Sequence, residues 1–182
     1  QLQFDVGKAN CLYVHLTLVP YIKTAREGKT KPTQHSVKEL QSTGIVPDVL
    51  VCRVSEAIDE SIKRKIALFC DVPEEAVITA KDVDTIYEVP LVLKAEGLDQ
   101  IILKQLGLPL THARTEAWEE LVDRIKHPTD ELTIHVVGKY TGYEDSYKSP
   151  TEALFHGGFA HRLKVRLNWV EAEALEREGG GA

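Results

Sequence analysis

The sequence contains no methionine and only three cysteines among its 182 residues. Cys11, Cys52 and Cys70 lie in apolar stretches and lack the Cys-x-x-Cys or Cys/His spacing of a metal site. The sequence therefore predicts buried free thiols in a reducing compartment and argues against a disulfide framework. Because the chain begins at Gln1 and contains no methionine, we also expect it to be a piece of a longer protein.

Long apolar segments and a surplus of positive charge are also missing. No apolar run approaches the roughly 20 residues of a membrane-spanning helix, and no signal peptide opens the chain, so we expect a cytoplasmic protein with no membrane partner. The net charge of −6 argues against general nucleic-acid binding, which needs a basic surface. A local basic site for a small nucleotide is still compatible with this charge.

Predicted strands and helices alternate in the first part of the chain, as they do in a doubly wound α/β sheet. Residues 48–53 and 76–80 are short, continuous apolar strands of the kind found in parallel sheets. The predicted order is strand 11–19, helix 33–42, strand 48–53, helix 60–70, strand 76–80 and a mainly helical region, 86–107, interrupted at Pro90 and Gly97. The sequence therefore predicts an α/β fold with parallel strands.

The first predicted strand has two distinct faces. Leu12, Val14, Leu16 and Leu18 share one face, and His15 lies on the other. We expect His15 to be a hydrogen-bonded strand histidine, with a catalytic role as the alternative.

A second strand–helix unit follows a break in the pattern. Residues 115–127 predict an amphipathic helix, Pro128-Thr129-Asp130 interrupts the chain, and residues 132–137 predict a new strand in a separate sheet. Ser149-Pro150-Thr151-Glu152 has the form of a capping box with proline at the first helical position, which predicts a helix beginning there. A strand at 164–169 follows.

Residues 29–34, here called the lysine segment, carry the most distinctive chemistry of the chain. Its proline has the backbone φ angle of a first helical turn, and the free N–H groups of that turn favour binding of an anion. Its two lysines add positive charge, and its threonines and glutamine add hydrogen-bonding groups. The segment predicts phosphate binding, with an ordinary solvated loop as the alternative. It is not a P-loop, because that motif requires glycine where this sequence has Lys23.

Two further segments contain candidates for ligand binding. Lys65 belongs to a basic cluster, residues 63–65, for which a solvated helix face is the alternative interpretation. Lys81, Asp82 and Val83 lie at the carboxyl end of a predicted strand, where open α/β sheets bind their ligands.

The sequence resembles CTP synthases in the segment KTKPTQHSVKEL, in the strand LYVHLTLVPY before it, and in KIALFC and KDVDTIY after it. The resemblance runs in order along almost the whole chain. It implies that residues 1–108 are the second half of an amidoligase domain with a P-loop-type doubly wound sheet. Residues 109–131 would be an interdomain linker, and residues 132–182 the start of a class I glutamine amidotransferase domain.

The resemblance also implies an activity and its partners. In this family ATP phosphorylates O4 of UTP, and ammonia from glutamine displaces the phosphate to give CTP. The implied partners are UTP, ATP, glutamine, CTP as feedback inhibitor and GTP as allosteric activator, in a cytoplasmic homotetramer that requires Mg²⁺. Neither nucleic acid nor a membrane is implied.

Site residues are implied only where this sequence matches the family segments. The residues implied to bind UTP or CTP are Lys29, Thr30, Lys31, Pro32, Thr33, Gln34 and Lys65. Those implied to lie at the base of ATP are Lys81, Asp82 and Val83. No catalytic or metal-binding residue is implied, because the ATP P-loop and Mg²⁺ ligands lie upstream of these segments in the family and the nucleophilic cysteine lies downstream. We therefore expect this chain alone to be inactive.

Two alternative functions remain open at this stage. One is a non-catalytic module that senses pyrimidine nucleotides through the lysine segment. The other is a related amidoligase that acts on a non-nucleotide acid.

Overall fold

The structure, a computed structural model, describes residues 2–22 and 27–177. The sequence also predicts a charged loop at 21–28, of which the structure describes only residues 21–22 and 27–28. Lys23 lies outside the described residues. The chain divides into two compact units, Gln1–Thr115 and Glu116–Ala182. Their boundary falls within the predicted linker, 109–131. No helix among the described residues is both long enough and apolar enough to cross a bilayer.

The first unit alternates strands and helices. Its elements are α1 (Leu2–Val6), β1 (Val14–Leu18), β2 (Tyr21–Ile22), β3 (Glu27–Gly28), α2 (Lys31–Ser42), β4 (Val49–Val54), α3 (Glu60–Cys70), β5 (Val77–Lys81), α4 (Val89–Ala95) and α5 (Leu98–Gln105). Strands β1, β4 and β5 form one parallel sheet in that order, with Leu16 opposite Val51 and Val51 opposite Ile78. The predicted α/β fold with parallel strands is confirmed.

Strand β4 lies in the middle of this sheet and is buried on both faces. On one face Leu50 and Cys52 pack in a cluster with Ile66 of α3. On the other, Val49 and Val51 pack with Ile78 of β5, and α4 and α5 cover this second cluster. The uninterrupted apolar run at 49–52 is explained by this double burial, because neither face can accept a polar side chain.

Strand β1 buries the face opposite to its leucines. Leu16 is 67% exposed, and Val14 and Leu18 are also exposed. The other face contacts α2: His15 Nε2 lies 2.8 Å from Ser36 Oγ, and Thr17 is buried. His15 is thus hydrogen-bonded, as predicted.

Two prolines lie at helix starts. Helix α2 begins at Lys31, two residues earlier than predicted, so Pro32 lies in its first turn. Pro90 lies in the first turn of α4 and does not interrupt a helix. Both positions suit proline, because the N–H groups of a first turn have no partner within the helix. Gly97, with φ of +79°, separates α4 from α5 as predicted.

The three cysteines are free thiols. Cys52 and Cys70 are fully buried, whereas Cys11 is partly exposed. Burial, together with the neighbouring Cys70 thiol, raises the pKa of Cys52 to about 12. Burial also raises the pKa of Cys70. The predicted burial is therefore confirmed for two of the three cysteines.

The second unit contains a parallel two-stranded sheet that is separate from the first sheet. Its elements are α6 (Glu116–Lys126), β6 (Asp130–Gly138), α7 (Glu144–Ala160), β7 (Leu163–Glu171) and α8 (Ala172–Arg177). Strands β6 and β7 pair over nine residues, with Ile134 opposite Leu167.

The helix start predicted at Ser149-Pro150 is wrong. Helix α7 begins at Glu144, and Pro150 lies inside it. Tyr147, already in the helix, packs against Trp169 of β7 with a ring-centroid distance of 4.9 Å and donates a hydrogen bond to the Lys139 carbonyl oxygen. These tertiary contacts favour the earlier start, although Pro150 cannot donate to the carbonyl of Ser146.

Gly158 brings α7 into close contact with β7. A Cβ atom at position 158 would lie 2.5 Å from Val165 Cγ2 and 2.8 Å from the Leu163 carbonyl oxygen. At the adjacent Gly157 a Cβ atom would meet no atom within 4 Å.

We predict that Gly158→Ala lowers the free energy of unfolding by about 1–3 kcal/mol, because the added methyl group must displace backbone. The matched control is Gly157→Ala, which should leave stability unchanged or raise it by about 0.5–1 kcal/mol, since alanine is the better helix residue. Urea denaturation of this chain measures both. Equal effects of the two substitutions would contradict the close packing of α7 on β7.

Glu96, at the end of α4, links three elements of the first unit. Its Oε2 accepts a hydrogen bond of 2.8 Å from Thr79 N–H in β5 and one of 3.1 Å from Lys63 Nζ in α3. Partial burial by itself would raise the pKa of Glu96, but these two donors outweigh it and hold the pKa below its ordinary value.

We predict that Glu96→Gln lowers the free energy of unfolding at pH 7 by about 1 kcal/mol, because charged hydrogen bonds are stronger than neutral ones. A carboxylate with a depressed folded-state pKa stabilises the fold above its unfolded-state pKa and loses this contribution as the pH falls through the folded-state pKa. The difference between parent and variant should therefore shrink below pH 4.5, the ordinary glutamate value.

The control for this substitution is Glu39→Gln, on the exposed side of α2, which should change stability by less than about 0.5 kcal/mol. Urea denaturation at a series of pH values gives both curves. A difference between parent and Glu96→Gln that stays constant with pH would show that the charge of Glu96 does not stabilise the fold.

Candidate functional site

A first cavity, of about 480 Å³, lies between the β2–β3 hairpin and the start of α3. Its lining residues are Tyr21, Gly28, Thr30, Glu56, Ala57, Ile58, Asp59, Ser61, Ile62 and Lys65. Of the seven residues predicted to bind UTP or CTP, it brings together Thr30 and Lys65, which are far apart in the sequence. The other five do not line it.

The lysine segment is held by hydrogen bonds within the fold. The Lys29 N–H donates to the Pro20 carbonyl oxygen at 2.8 Å. Thr33 is fully buried, and its hydroxyl donates to the Leu18 carbonyl oxygen at 3.0 Å. Gln34 Nε2 donates to Thr30 Oγ1 at 3.1 Å, which leaves the hydroxyl hydrogen of Thr30 available to a ligand. Thr33 therefore anchors α2 to β1, while Thr30 faces the first cavity.

The remaining members of the lysine segment lie at the surface. Lys31 and Pro32 are exposed in the first turn of α2. Their side chains can therefore approach a ligand from solvent without crossing the core. Whether the three lysines, Lys29, Lys31 and Lys65, bind one ligand together stays a prediction.

Acidic side chains accompany Lys65 in the first cavity. Asp59 is the N-cap of α3, and its Oδ1 accepts hydrogen bonds from Ser61 Oγ at 2.6 Å and Ile62 N–H at 2.9 Å. These donors hold the pKa of Asp59 below its ordinary value. Glu56 also lines the cavity. Neither carboxylate was among the predicted site residues, although Asp59 followed by a helical pattern is a recognisable capping signal.

A second cavity, of about 650 Å³, lies at the carboxyl ends of the parallel strands. Its lining residues are Leu16, Val51, Arg53, Ala80, Lys81, Asp82, Val83, Ile86, Val89, Val92 and Leu93. It brings together all three residues predicted to lie at the base of ATP. Most of its wall is aliphatic, and a few polar groups lie at the strand ends. Such a cavity suits a flat, largely apolar ring that also carries hydrogen-bonding groups.

Arg53 and Asp82 form the polar part of this second cavity. The Nε of Arg53 lies 2.7 Å from Asp82 Oδ1, and the Asp82 N–H donates to the Val54 carbonyl oxygen at 2.8 Å. Arg53 was not predicted to line a binding site. The rule that selected Asp82, the carboxyl end of a parallel strand, applies equally to Arg53 at the end of β4.

A third cavity, of about 520 Å³, lies in the second unit at the carboxyl ends of β6 and β7. Polar residues such as Thr141 and Lys148 line it together with Trp169. Thr141 is held in place by Glu171, which accepts hydrogen bonds from both its N–H and its hydroxyl. These two donors hold the pKa of Glu171 below its ordinary value. No ligand was predicted for this region.

Candidate metal ligands do not cluster in the part of the chain that the structure describes. Residues 2–22 and 27–177 contain no group of three or more His, Cys, Asp or Glu side chains arranged to hold a metal ion. The described residues therefore do not form a complete Mg²⁺ site.

Comparison with known proteins identifies the family of this chain. Residues 1–108 match the family model described as the CTP synthase N-terminus. The CTP synthases of Koribacter versatilis and Acidobacterium capsulatum are each 55% identical to this chain over 176 residues, which cover 97% of it. That of Methanocaldococcus jannaschii is 53% identical over 178 residues, or 98% of the chain.

The matched segment is only part of each relative. It covers 32% of the length of the first two proteins and 33% of the third. The chain thus spans about a third of the length of the relatives it matches. Within that span the similarity is continuous and high, and the chain belongs to the CTP synthase family.

Proposed function

We propose that this chain is the part of a CTP synthase that holds the pyrimidine nucleotide and the base of ATP. In the complete enzyme ATP would phosphorylate O4 of UTP, and ammonia released from glutamine would displace the phosphate to give CTP. The observation that carries the proposal is the second cavity, which unites Lys81, Asp82 and Val83 against an aliphatic wall. An adenine ring needs both features, a flat apolar contact and polar groups at its edge.

The first cavity is proposed to receive UTP or the inhibitor CTP. Lys65 would contact the phosphates as a point charge, and the Thr30 hydroxyl would donate a hydrogen bond. The lysine segment would approach the same phosphates from the start of α2. Glu56 and Asp59 place two carboxylates in the lining beside the single ammonium group of Lys65. Binding of a triphosphate would therefore require Lys29 and Lys31 to add their positive charge at the same site.

The two cavities are neighbours, as transfer of a phosphoryl group between two nucleotides requires. Arg53 lines the second cavity and Glu56 lines the first. Three residues of chain span at most about 11 Å, so the Cα atoms of Arg53 and Glu56 lie no further apart than this at the connection between β4 and α3. This proximity supports a shared reaction centre.

Other parts of the enzyme are proposed from the family alone. They are a cytoplasmic homotetramer, glutamine as the ammonia source, GTP as allosteric activator, and a class I glutamine amidotransferase domain that begins near residue 132. Mg²⁺ ligands are proposed to lie upstream of the segment that this chain matches.

We predict that Lys65→Ala and Lys29→Ala each weaken UTP binding at least about tenfold in a complete enzyme that carries this segment. The reason is that a charge-assisted hydrogen bond to phosphate contributes about 1.5–3 kcal/mol. The matched control is Lys38→Ala, an exposed lysine two turns along α2, which should change UTP affinity less than about twofold. Equilibrium binding at low ionic strength gives the affinities. UTP affinity unchanged by Lys65→Ala would exclude the first cavity as the UTP site.

We also predict that the 182-residue chain alone forms no CTP from UTP, ATP and Mg²⁺, with either glutamine or ammonia. Ammonia is the decisive substrate, because it bypasses glutamine hydrolysis and tests phosphoryl transfer alone. The complete enzyme, assayed in parallel by chromatography of the nucleotides, is the positive control. Ammonia-dependent CTP formation by the chain would mean that residues assigned here to binding also carry the phosphoryl transfer.

A further inference from the structure

Arg53 was not among the predicted site residues, yet it lines the second cavity and binds the side chain of Asp82 there. Arg53 is the penultimate residue of β4, and Asp82 follows the last residue of β5. The two strands pair in parallel with Arg53 opposite Ala80. The ion pair therefore joins the carboxyl ends of two neighbouring strands at the edge of the cavity.

Folding stability does not account for this pair. The side chains of Arg53 and Asp82 are 65% and 45% exposed, and ion pairs this accessible contribute little to stability. The backbone of Asp82 is already fixed by its hydrogen bond to Val54. The guanidinium group instead fixes the orientation of the Asp82 carboxylate within the cavity.

We propose that Arg53 is a positioning residue that selects the 6-amino group of adenine through Asp82. This inference rests on the proposed function, in which Asp82 lies at the base of ATP. A carboxylate has two acceptor oxygens. With Oδ1 held by Arg53, Oδ2 accepts a hydrogen bond from the 6-amino group. A purine with a carbonyl oxygen at that position is disfavoured, because two acceptors then face each other without a proton between them.

Competition between ATP and inosine triphosphate tests this selection. Inosine triphosphate carries a carbonyl oxygen where ATP carries the 6-amino group. Displacement of labelled ATP from a complete CTP synthase that carries this segment gives the ratio of the two affinities. We expect Arg53→Ala to lower the preference for ATP about tenfold. Asp82→Ala should lower it by a similar factor, and the double variant should lower it no further, because the two residues act as one unit.

Arg64 provides a matched control. Its Nε lies 4.0 Å from Glu74 Oε1, and these two side chains are also 65% and 45% exposed, but neither lines either cavity. Arg64→Ala should leave the ratio of affinities unchanged. If Arg53→Ala does not fold, Arg53→Gln keeps the aliphatic stem and allows the same measurement.

The possible outcomes separate this inference from the proposed function. An unchanged preference in Arg53→Ala, with ATP still bound, would overturn the inference and leave the ATP site intact. A preference lowered equally by Arg64→Ala would also overturn it, since the effect would then be a general loss of order. Retention of full ATP affinity and preference by Asp82→Ala would overturn the placement of the ATP base in this cavity, and with it the inference.

Discussion

The first unit depends on one constraint, the burial of β4 on both faces. A central strand satisfies its backbone by pairing with β1 and β5, and its side chains must then be apolar wherever helices cover the sheet. Val49, Leu50 and Cys52 are fully buried for this reason. Only near its carboxyl end does β4 carry a polar side chain, Arg53. Ligand-binding groups can therefore collect at that end of the sheet, where both cavities of the first unit lie.

The burial of strands on both faces also explains how much of the fold the sequence predicts. Strands buried on both faces have continuous apolar runs. The predicted bounds of the strands at 48–53 and 76–80 therefore differ from the observed bounds by about one residue. The start of α7 was predicted wrongly, because Ser149-Pro150-Thr151-Glu152 satisfies a local helix-start pattern. The helix begins earlier, at Glu144, and Tyr147 in its first turn packs against Trp169, 22 positions further along the chain. Local patterns do not encode such contacts. The exposed leucine face of β1 was unpredictable for a similar reason, since alternation defines two faces without saying which one a helix covers.

The structure brings some of the predicted site residues together and separates others, while their binding roles stay predictions. Lys81, Asp82 and Val83 share a cavity because consecutive residues at one strand end cannot separate far. Thr33 was expected to face a phosphate, but its hydroxyl is directed to Leu18 on a strand 15 residues away. The carboxylates that line the first cavity with Lys65 come from the connection before α3, and the sequence of the lysine segment does not predict them. Residue types identify candidate chemistry, and tertiary packing decides which groups face a ligand.

The burial of Cys52 has a consequence for the motions of the first unit. A thiol with a pKa of about 12 is almost entirely protonated at pH 7, whereas the thiolate is the reactive form. Modification of Cys52 by a thiol reagent must therefore await an opening that admits water between β4 and α3. Its rate in the native protein reports how often these two elements separate, so this buried thiol can serve as a probe of local unfolding.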